Sequence, residues 1–202
     1  MPSIYALKSR FQRLLRPLLH TLAAAGISAN QVTLAAMLAS LAYGAWLWLA
    51  ASHTLPWLLL PLFLLLRMAL NAIDGMLARE FGQQSRLGAI LNEVGDVVSD
   101  AALYLPFCSL SSHPALVVLA VLLAMLTEFV GILGPSLGST RRYDGPMGKS
   151  DRAFCYGGFA LLLVIAPASA GYADWLFGSS ALLMLLTVFN RARAILKEGH
   201  HV

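Results

Sequence analysis

The fold is decided by one stretch, Asn71-Ala72-Ile73-Asp74-Gly75-Met76-Leu77-Ala78-Arg79, with Gly88, Asn92 and Asp96 spaced regularly after it. In a helix, residues three and four positions apart share one face, so the polar and small residues here form two faces. A short polar turn at residues 80–86 joins the two segments and would bring these faces opposite each other. Carboxylates inside an apolar chain are costly unless they bind something, so the stretch predicts a functional site.

The composition around this stretch is that of a membrane protein. Of the 202 residues, 58% are hydrophobic and 12% are charged, and the mean hydropathy is +0.72, which is too apolar for a soluble domain. The formal net charge of +4 has no soluble basic face to occupy, so no nucleic-acid partner is predicted. Six apolar runs of about 20 residues are long enough to span a bilayer. They begin near Gln31, Pro56, Leu87, Pro114, Arg152 and Asp174.

The basic residues indicate how these runs cross the membrane. Lys and Arg are concentrated before the first run, in every second connection and at the end of the chain. The other three connections, around Ser52, Ser111 and Gly171, contain neither. By the positive-inside rule, this asymmetry predicts six transmembrane helices with both termini in the cytoplasm. The protein is therefore expected to be a multi-pass protein of the cell inner (cytoplasmic) membrane, with its active site facing the cytoplasm.

The chain is expected to form a single domain with three parts. These are an interfacial helix, a six-span bundle and a tail, at residues 1–27, 28–196 and 197–202. The first part is predicted to be amphipathic because an apolar stripe runs beside several cations. The stripe consists of Leu7, Phe11, Leu14, Leu15, Leu18 and Leu22, and the cations are Lys8, Arg10, Arg13 and Arg16. Ser28, followed three residues later by Gln31, resembles a capping box that opens the first span.

The quoted stretch resembles the signature of the CDP-alcohol phosphatidyltransferase family, D-x-x-D-G-x-x-A-R-x8-G-x-x-x-D-x-x-x-D. Every spacing agrees, and the family's residue stands at Asp74, Gly75, Ala78, Arg79, Gly88 and Asp96. Asn71 and Asn92 stand where the family has its first and third Asp. The resemblance implies a membrane enzyme of phospholipid biosynthesis that transfers a phosphatidyl group from CDP-diacylglycerol to a small alcohol and releases CMP. It also implies a homodimer.

The same resemblance assigns roles to the residues of the stretch. It implies that Asp96 is the catalytic base and that one or two Mg²⁺ or Mn²⁺ ions are held by Asp74, Asn71, Asn92 and Asp96. The nucleotide and phosphates of the donor are assigned to Gly75, Ala78, Arg79 and Gly88. Two carboxylates, one divalent ion and a doubly charged pyrophosphate sum to about −2, as do four carboxylates with two ions, so a one-ion site is electrostatically reasonable. Alternatively a neighbouring acid replaces a missing ligand, the candidates being Glu93, Asp100 and Glu128.

Four basic residues near the start of the fifth run are candidates for binding the acceptor: Arg141, Arg142, Lys149 and Arg152. Arginine forks match the geometry of phosphate oxygens. Members of the resembling family that use phosphorylated acceptors also place basic residues in this region. Glycerol 3-phosphate is therefore the leading expected acceptor, ahead of inositol phosphate, serine and other alcohols. The positive-inside bias alone explains the cluster equally well.

Two other functions are compatible with the sequence. A catalytically silent lipid- or nucleotide-binding membrane protein of the same fold would account for the two asparagines. A small transporter is less consistent with the sequence, because no internal repeat pairs the two halves and the acids cluster at one face rather than at the midplane. Two residues are left open: Arg67 forms either a structural ion pair or a ligand contact, and Glu128 either bonds between helices or reaches the site.

Overall fold

A computed structural model describes residues 4–198, with side chains from Arg10 onward. This part of the chain is all-helical, as predicted, and contains no strand. Its seven helices are α1 Ile4–Ala24, α2 Ala29–Leu49, α3 Thr54–Glu80, α4 Arg86–Tyr104, α5 Pro114–Leu133, α6 Lys149–Ile165 and α7 Ala173–Glu198. Short 3₁₀ segments follow α4, α5 and α6, at Leu105–Ser109, Pro135–Leu137 and Pro167–Tyr172. The side chains of Leu7 and Lys8 and the tail residues 199–202 lie outside the described residues.

Local hydrogen bonds set the helix starts that border the site. The predicted capping box opens α2: the Gln31 N–H donates to Ser28 Oγ at 3.3 Å, and the Ser28 N–H donates to Gln31 Oε1 at 2.8 Å. At the start of α4, the Gly88 N–H donates to Ser85 Oγ at 2.9 Å. Each of the six predicted apolar runs forms one helix, and each helix starts within three residues of the predicted position.

Four stretches of the described chain are long and apolar enough to cross a membrane: α2, α3, α5 and Pro167–Glu198, which includes α7. Membrane character is therefore confirmed. Helix α4 falls short because it carries Glu93, Asp96 and Asp100, and α6 falls short because it has only 17 residues. The two helices that do not qualify are both close to the site, so the count of six spans stays a prediction.

The helices pack so that α2, α3 and α4 surround one region. Helix α2 contacts both α3 and α4, while α3 contacts α6 and α5 contacts α7. The α2–α4 contact is closest at Gly44, where a Cβ atom would clash with the carbonyl oxygen of Ala102. On the outside, large apolar side chains such as Leu62, Leu182 and Phe189 are more than half exposed. An apolar surface of this extent suits contact with lipid.

Helix α1 lies against the helix that carries the quoted stretch. Its Leu15 and Leu19 side chains are buried together with Ile73 of α3. Leu14 and Leu18, which belong to the predicted stripe, are exposed instead. The apolar surface of α1 is therefore wider than the predicted stripe: one edge packs on protein, and the other edge is open at the outer surface.

Candidate active site

A cavity of about 750 Å³ opens between α2, α3, α4 and the loop before α6. Most of the predicted site residues line it: Asn71, Asp74, Gly75, Ala78, Arg79, Gly88, Asn92, Glu93 and Arg141. The two helical faces expected from the spacing of the motif therefore meet across one space. Four predicted site residues are not part of this lining: Asp96, Arg142, Lys149 and Arg152.

Asp74 is the most deeply placed carboxylate of the cavity, with only 3% of its surface exposed. Its Oδ2 atom accepts a hydrogen bond from Thr33 Oγ1 at 2.8 Å and lies 3.5 Å from Asn92 Nδ2. Its Oδ1 atom is buried and has no hydrogen-bond partner among the described residues. A buried carboxylate oxygen without a donor is costly, so this atom is available for a cation.

Asp96 lies just beyond Asn71 and is held as an anion through one oxygen. Its Oδ1 atom accepts a hydrogen bond from Asn71 Nδ2 at 2.8 Å, forms an ion pair with Lys149 Nζ and lies 3.5 Å from Arg67 Nη2. In the described part of the chain, Oδ2 has no hydrogen-bond or ion-pair partner. Asp96 therefore combines a fixed orientation with one carboxylate oxygen that is free to accept a proton.

The oxygen atoms around Asp74 fit one hard divalent cation. Within the residues that the structure describes, no group of three or more His, Cys, Asp and Glu side chains is arranged to hold a metal. The substitutions at Asn71 and Asn92 explain this, since each replaces a carboxylate by an amide. The amide nitrogens face Asp96 and Asp74 respectively, which leaves both carbonyl oxygens for other partners. Mg²⁺ and Mn²⁺ accept neutral oxygen ligands beside a carboxylate, so Asp74 Oδ1 with two amide oxygens is a suitable donor set.

The end of the cavity formed by the α3–α4 turn carries uncompensated positive charge. Arg79 and Arg86 both line this end, and neither has an acidic partner among the described side chains. The Arg79 guanidinium lies close to Gly75, where a Cβ atom would stand 3.2 Å from Nη1. At Gly88, a Cβ atom would stand 2.6 Å from Asn30 Oδ1. The glycines thus keep this end open beside two free cations, as an anionic ligand requires.

The four predicted acceptor residues are not gathered into one pocket. Only Arg141 lines the cavity, where it forms ion pairs with Glu93 and, at 3.9 Å, with Glu128. Arg142 faces away and pairs with Asp144 at 2.8 Å and with Glu198. The hydrogen bonds from Arg142 hold the pKa of Asp144 below its ordinary value. Each cation of the loop therefore has an acidic partner, and the phosphate pocket expected from the sequence is not formed by these contacts.

Arg152 belongs to a buried ion network beneath the cavity. Its side chain is fully buried, with Nη2 2.9 Å from Asp100 Oδ2 and 3.1 Å from Glu128 Oε1. Arg67 Nη1 approaches the other oxygen of Asp100 at 2.6 Å, and Arg191 Nη1 lies 3.7 Å from Glu128. The open alternatives for Arg67 and Glu128 are thus decided in favour of structural ion pairs. The prediction that Arg152 contacts the acceptor is wrong for this arrangement, because two acids already occupy its guanidinium.

Several residues of the site were not predicted from the sequence. The first span was assigned no chemistry, yet Thr33 donates to Asp74 and Asn30 lines the cavity. Their spacing of three on an otherwise apolar helix end was the available signal. Arg86 and Arg191 were interpreted only as topology residues, and no local pattern distinguishes them from other cytoplasmic cations.

Comparisons with known proteins agree with this geometry. The family model for CDP-alcohol phosphatidyltransferase matches residues 26–190. The chain is 49% identical over 195 residues to the inner membrane protein YnbA of Escherichia coli, covering 96% of each chain. It is 28% identical over 163 residues to the archaetidylinositol phosphate synthase of Aeropyrum pernix, covering 80% of this chain and 79% of that protein.

Solved structures share the fold at lower identity. The phosphatidylinositol phosphate synthase of Mycobacterium tuberculosis with CDP-DAG bound superposes with a TM-score of 0.75 at 18% identity, covering 91% of this chain and 94% of the other. The same synthase in complex with manganese and citrate gives a TM-score of 0.70 at 20% identity, covering 89% and 88%. The match of the family model over most of the chain is decisive: this protein belongs to the CDP-alcohol phosphatidyltransferase family.

Proposed function

We propose that the protein transfers a phosphatidyl group from CDP-diacylglycerol to a small alcohol and releases CMP. The observation that carries this proposal is the asymmetry of the cavity. One wall holds a buried carboxylate oxygen without a partner, on Asp74, and the adjoining end holds two unpaired cations, Arg79 and Arg86. A pyrophosphate with its counter-ion requires both features, and the acyl chains of a lipid donor can extend over the apolar outer surface.

In the proposed reaction, Arg79 and Arg86 bind the pyrophosphate and orient the CMP portion as the leaving group. A divalent cation held by Asp74, Asn71 and Asn92 supplies counter-charge to the pyrophosphate when bound. Asp96 Oδ2 takes the proton of the acceptor hydroxyl, and the hydroxyl oxygen forms a bond to the phosphorus that carries diacylglycerol. The bond from that phosphorus to the bridging oxygen breaks, so the products are CMP and a phosphatidyl alcohol. Lys149 keeps Asp96 ionised and in place before the proton moves.

The reaction is tested by measuring CMP release. Purified protein in detergent or vesicles is incubated with labelled CDP-diacylglycerol and a panel of alcohols. We expect release that disappears with EDTA and returns with Mg²⁺ or Mn²⁺, because the pyrophosphate needs its counter-charge. Binding of CDP-diacylglycerol without CMP release under any metal condition would instead support the alternative function, a catalytically silent lipid- or nucleotide-binding protein. The pairing of Asp96 with Lys149 and the amides at two Asp positions favour that alternative over others.

We further propose six transmembrane helices, α2 to α7, with both termini and the cavity on the cytoplasmic side, and a homodimeric assembly. The support is the distribution of Lys and Arg, which are absent from the connections at Ser52, Ser111 and Gly171. A reporter fused at Ser111 or Gly171 should be extracytoplasmic, and one fused at Val202 should be cytoplasmic. A fusion in the loop at Thr140 is the matched cytoplasmic control. A cytoplasmic signal at Ser111 would contradict the six-span arrangement.

A further inference from the structure

The charges of the cavity are divided unequally between its two ends. At the end formed by the α3–α4 turn, Arg79 and Arg86 are free of acidic partners within the described chain. At the end near the loop before α6, Arg141 is the cation of the lining, and it forms an ion pair with Glu93, which also lines the cavity. The carboxylate of Glu128 approaches Arg141 from below at 3.9 Å. One end is therefore cationic and the other end is neutral.

The cations behind Arg141 are compensated in the same way. Lys149 pairs with Asp96, and Arg152 pairs with Asp100 and Glu128. Arg142 is bound to acids outside the cavity. Among the residues that the structure describes, this end thus offers no cation whose charge is unused. An anion placed here would have to separate an existing ion pair.

A phosphorylated alcohol is poorly matched to such an environment. Its phosphate would compete with Glu93 for Arg141, and the displaced carboxylate would remain nearby as a like charge. An alcohol without net charge meets no such repulsion. A neutral polyol can accept hydrogen bonds from Arg141 and donate to Glu93, and a zwitterionic amino alcohol can place a carboxylate on Arg141 and an ammonium group on Glu93.

We propose that the acceptor of this enzyme carries no net negative charge, and that Glu93 is the residue that excludes phosphorylated alcohols. This inference rests on the proposed transfer reaction and names the class of its second substrate. It replaces glycerol 3-phosphate, the acceptor expected from the basic residues alone, because those residues were counted without their acidic partners. Arg79 and Arg86 remain free for the pyrophosphate of the donor, so the two substrates are separated by charge.

The first test compares acceptors with the unaltered protein. CMP release from labelled CDP-diacylglycerol is measured with glycerol, serine and glycerol 3-phosphate as the three probes. We expect kcat/KM for glycerol or serine to exceed that for glycerol 3-phosphate by about tenfold or more, the effect of one like charge at close range. Equal or better use of glycerol 3-phosphate would overturn the proposal.

The second test does not depend on turnover. Glycerol 3-phosphate and glycerol are titrated calorimetrically into protein saturated with CDP and Mn²⁺. Glu93→Gln should tighten the binding of glycerol 3-phosphate by about tenfold and leave glycerol within about twofold. Glu198→Gln is the matched control, because it removes the same charge but frees Arg142, which does not line the cavity.

The outcomes of the two tests are distinguishable. Tight binding of glycerol 3-phosphate by the unaltered protein, or equal behaviour of Glu93→Gln and Glu198→Gln, would overturn the assignment of the acceptor class. Absence of CMP release with every alcohol would remove the proposed transfer reaction, while the titration would still decide which ligand charge this end of the cavity accepts.

Discussion

Replacing Asp74 by Asn should abolish metal-dependent CMP release, lowering the rate by about a thousandfold or more. The reason is the Oδ1 atom of Asp74, which is buried, unpartnered and the only free carboxylate oxygen that lines the cavity beside Asn71 and Asn92. An amide at this position keeps the contact with Thr33 but removes the charge that holds the cation. Binding of Mn²⁺ and of the donor should therefore weaken together.

Asp96→Asn provides the contrasting result. This change removes the proposed base while Asp74 is left intact, so donor binding should persist and turnover should fall by about 10²–10⁴-fold. Mn²⁺ binding is followed by electron paramagnetic resonance, donor binding by titration with CDP-diacylglycerol, and turnover by CMP release. Asp144→Asn is the control, because Asp144 lies on the loop and pairs with Arg142 outside the cavity. Equal losses of metal binding in both variants would show that Asp96 acts as a metal ligand instead.

Arg152→Ala should strongly destabilise the protein rather than alter only the KM of an acceptor. The change leaves Asp100 and Glu128 buried without their shared cation, and breaking a buried ion pair by removing one partner costs about 3–5 kcal/mol. For a chain of this size the loss corresponds to a decrease in Tm of roughly 10 °C. Thermal unfolding in detergent, followed by circular dichroism, measures the effect.

Arg142→Ala is the matched control for this prediction. Arg142 also pairs with two acids, but both Asp144 and Glu198 are more than two-fifths exposed, so its loss should cost about 1 kcal/mol or less. An unchanged Tm for Arg152→Ala, together with a raised KM for a phosphorylated alcohol, would return Arg152 to the acceptor role expected from the sequence.

The helices and the meeting of the two motif faces could be predicted because both depend on local information. Apolar run lengths, the Ser28–Gln31 capping box and a four-residue spacing are properties of neighbouring residues. The family signature added the direction in which the faces point, since six of its residues stand at the expected positions. All of the residues assigned to the donor nucleotide and phosphates line the cavity.

The ion pairs could not be predicted because they join residues far apart in the sequence. Asp100 is 33 positions from Arg67 and 52 positions from Arg152, and nothing local indicates which helices become neighbours. A cytoplasmic arginine has the same sequence pattern whether it is free, as Arg86 is among the described residues, or paired, as Arg141 is. The charge available to a ligand is therefore a property of the packed helices and not of the composition of a loop.

The ion pair between Asp100 and Arg152 also constrains how the chain is inserted into the membrane during synthesis. In the proposed topology, α4 and α6 cross the bilayer although neither is sufficiently long and apolar alone. A charged residue near the centre of an isolated helix costs about 2.5–3.5 kcal/mol during insertion. Arg67 on α3 can neutralise Asp100 as soon as α4 emerges, but Arg152 has its partners only after α4 and α5 are in place. Productive insertion therefore requires the earlier helices to wait, assembled at the translocon, until α6 is delivered.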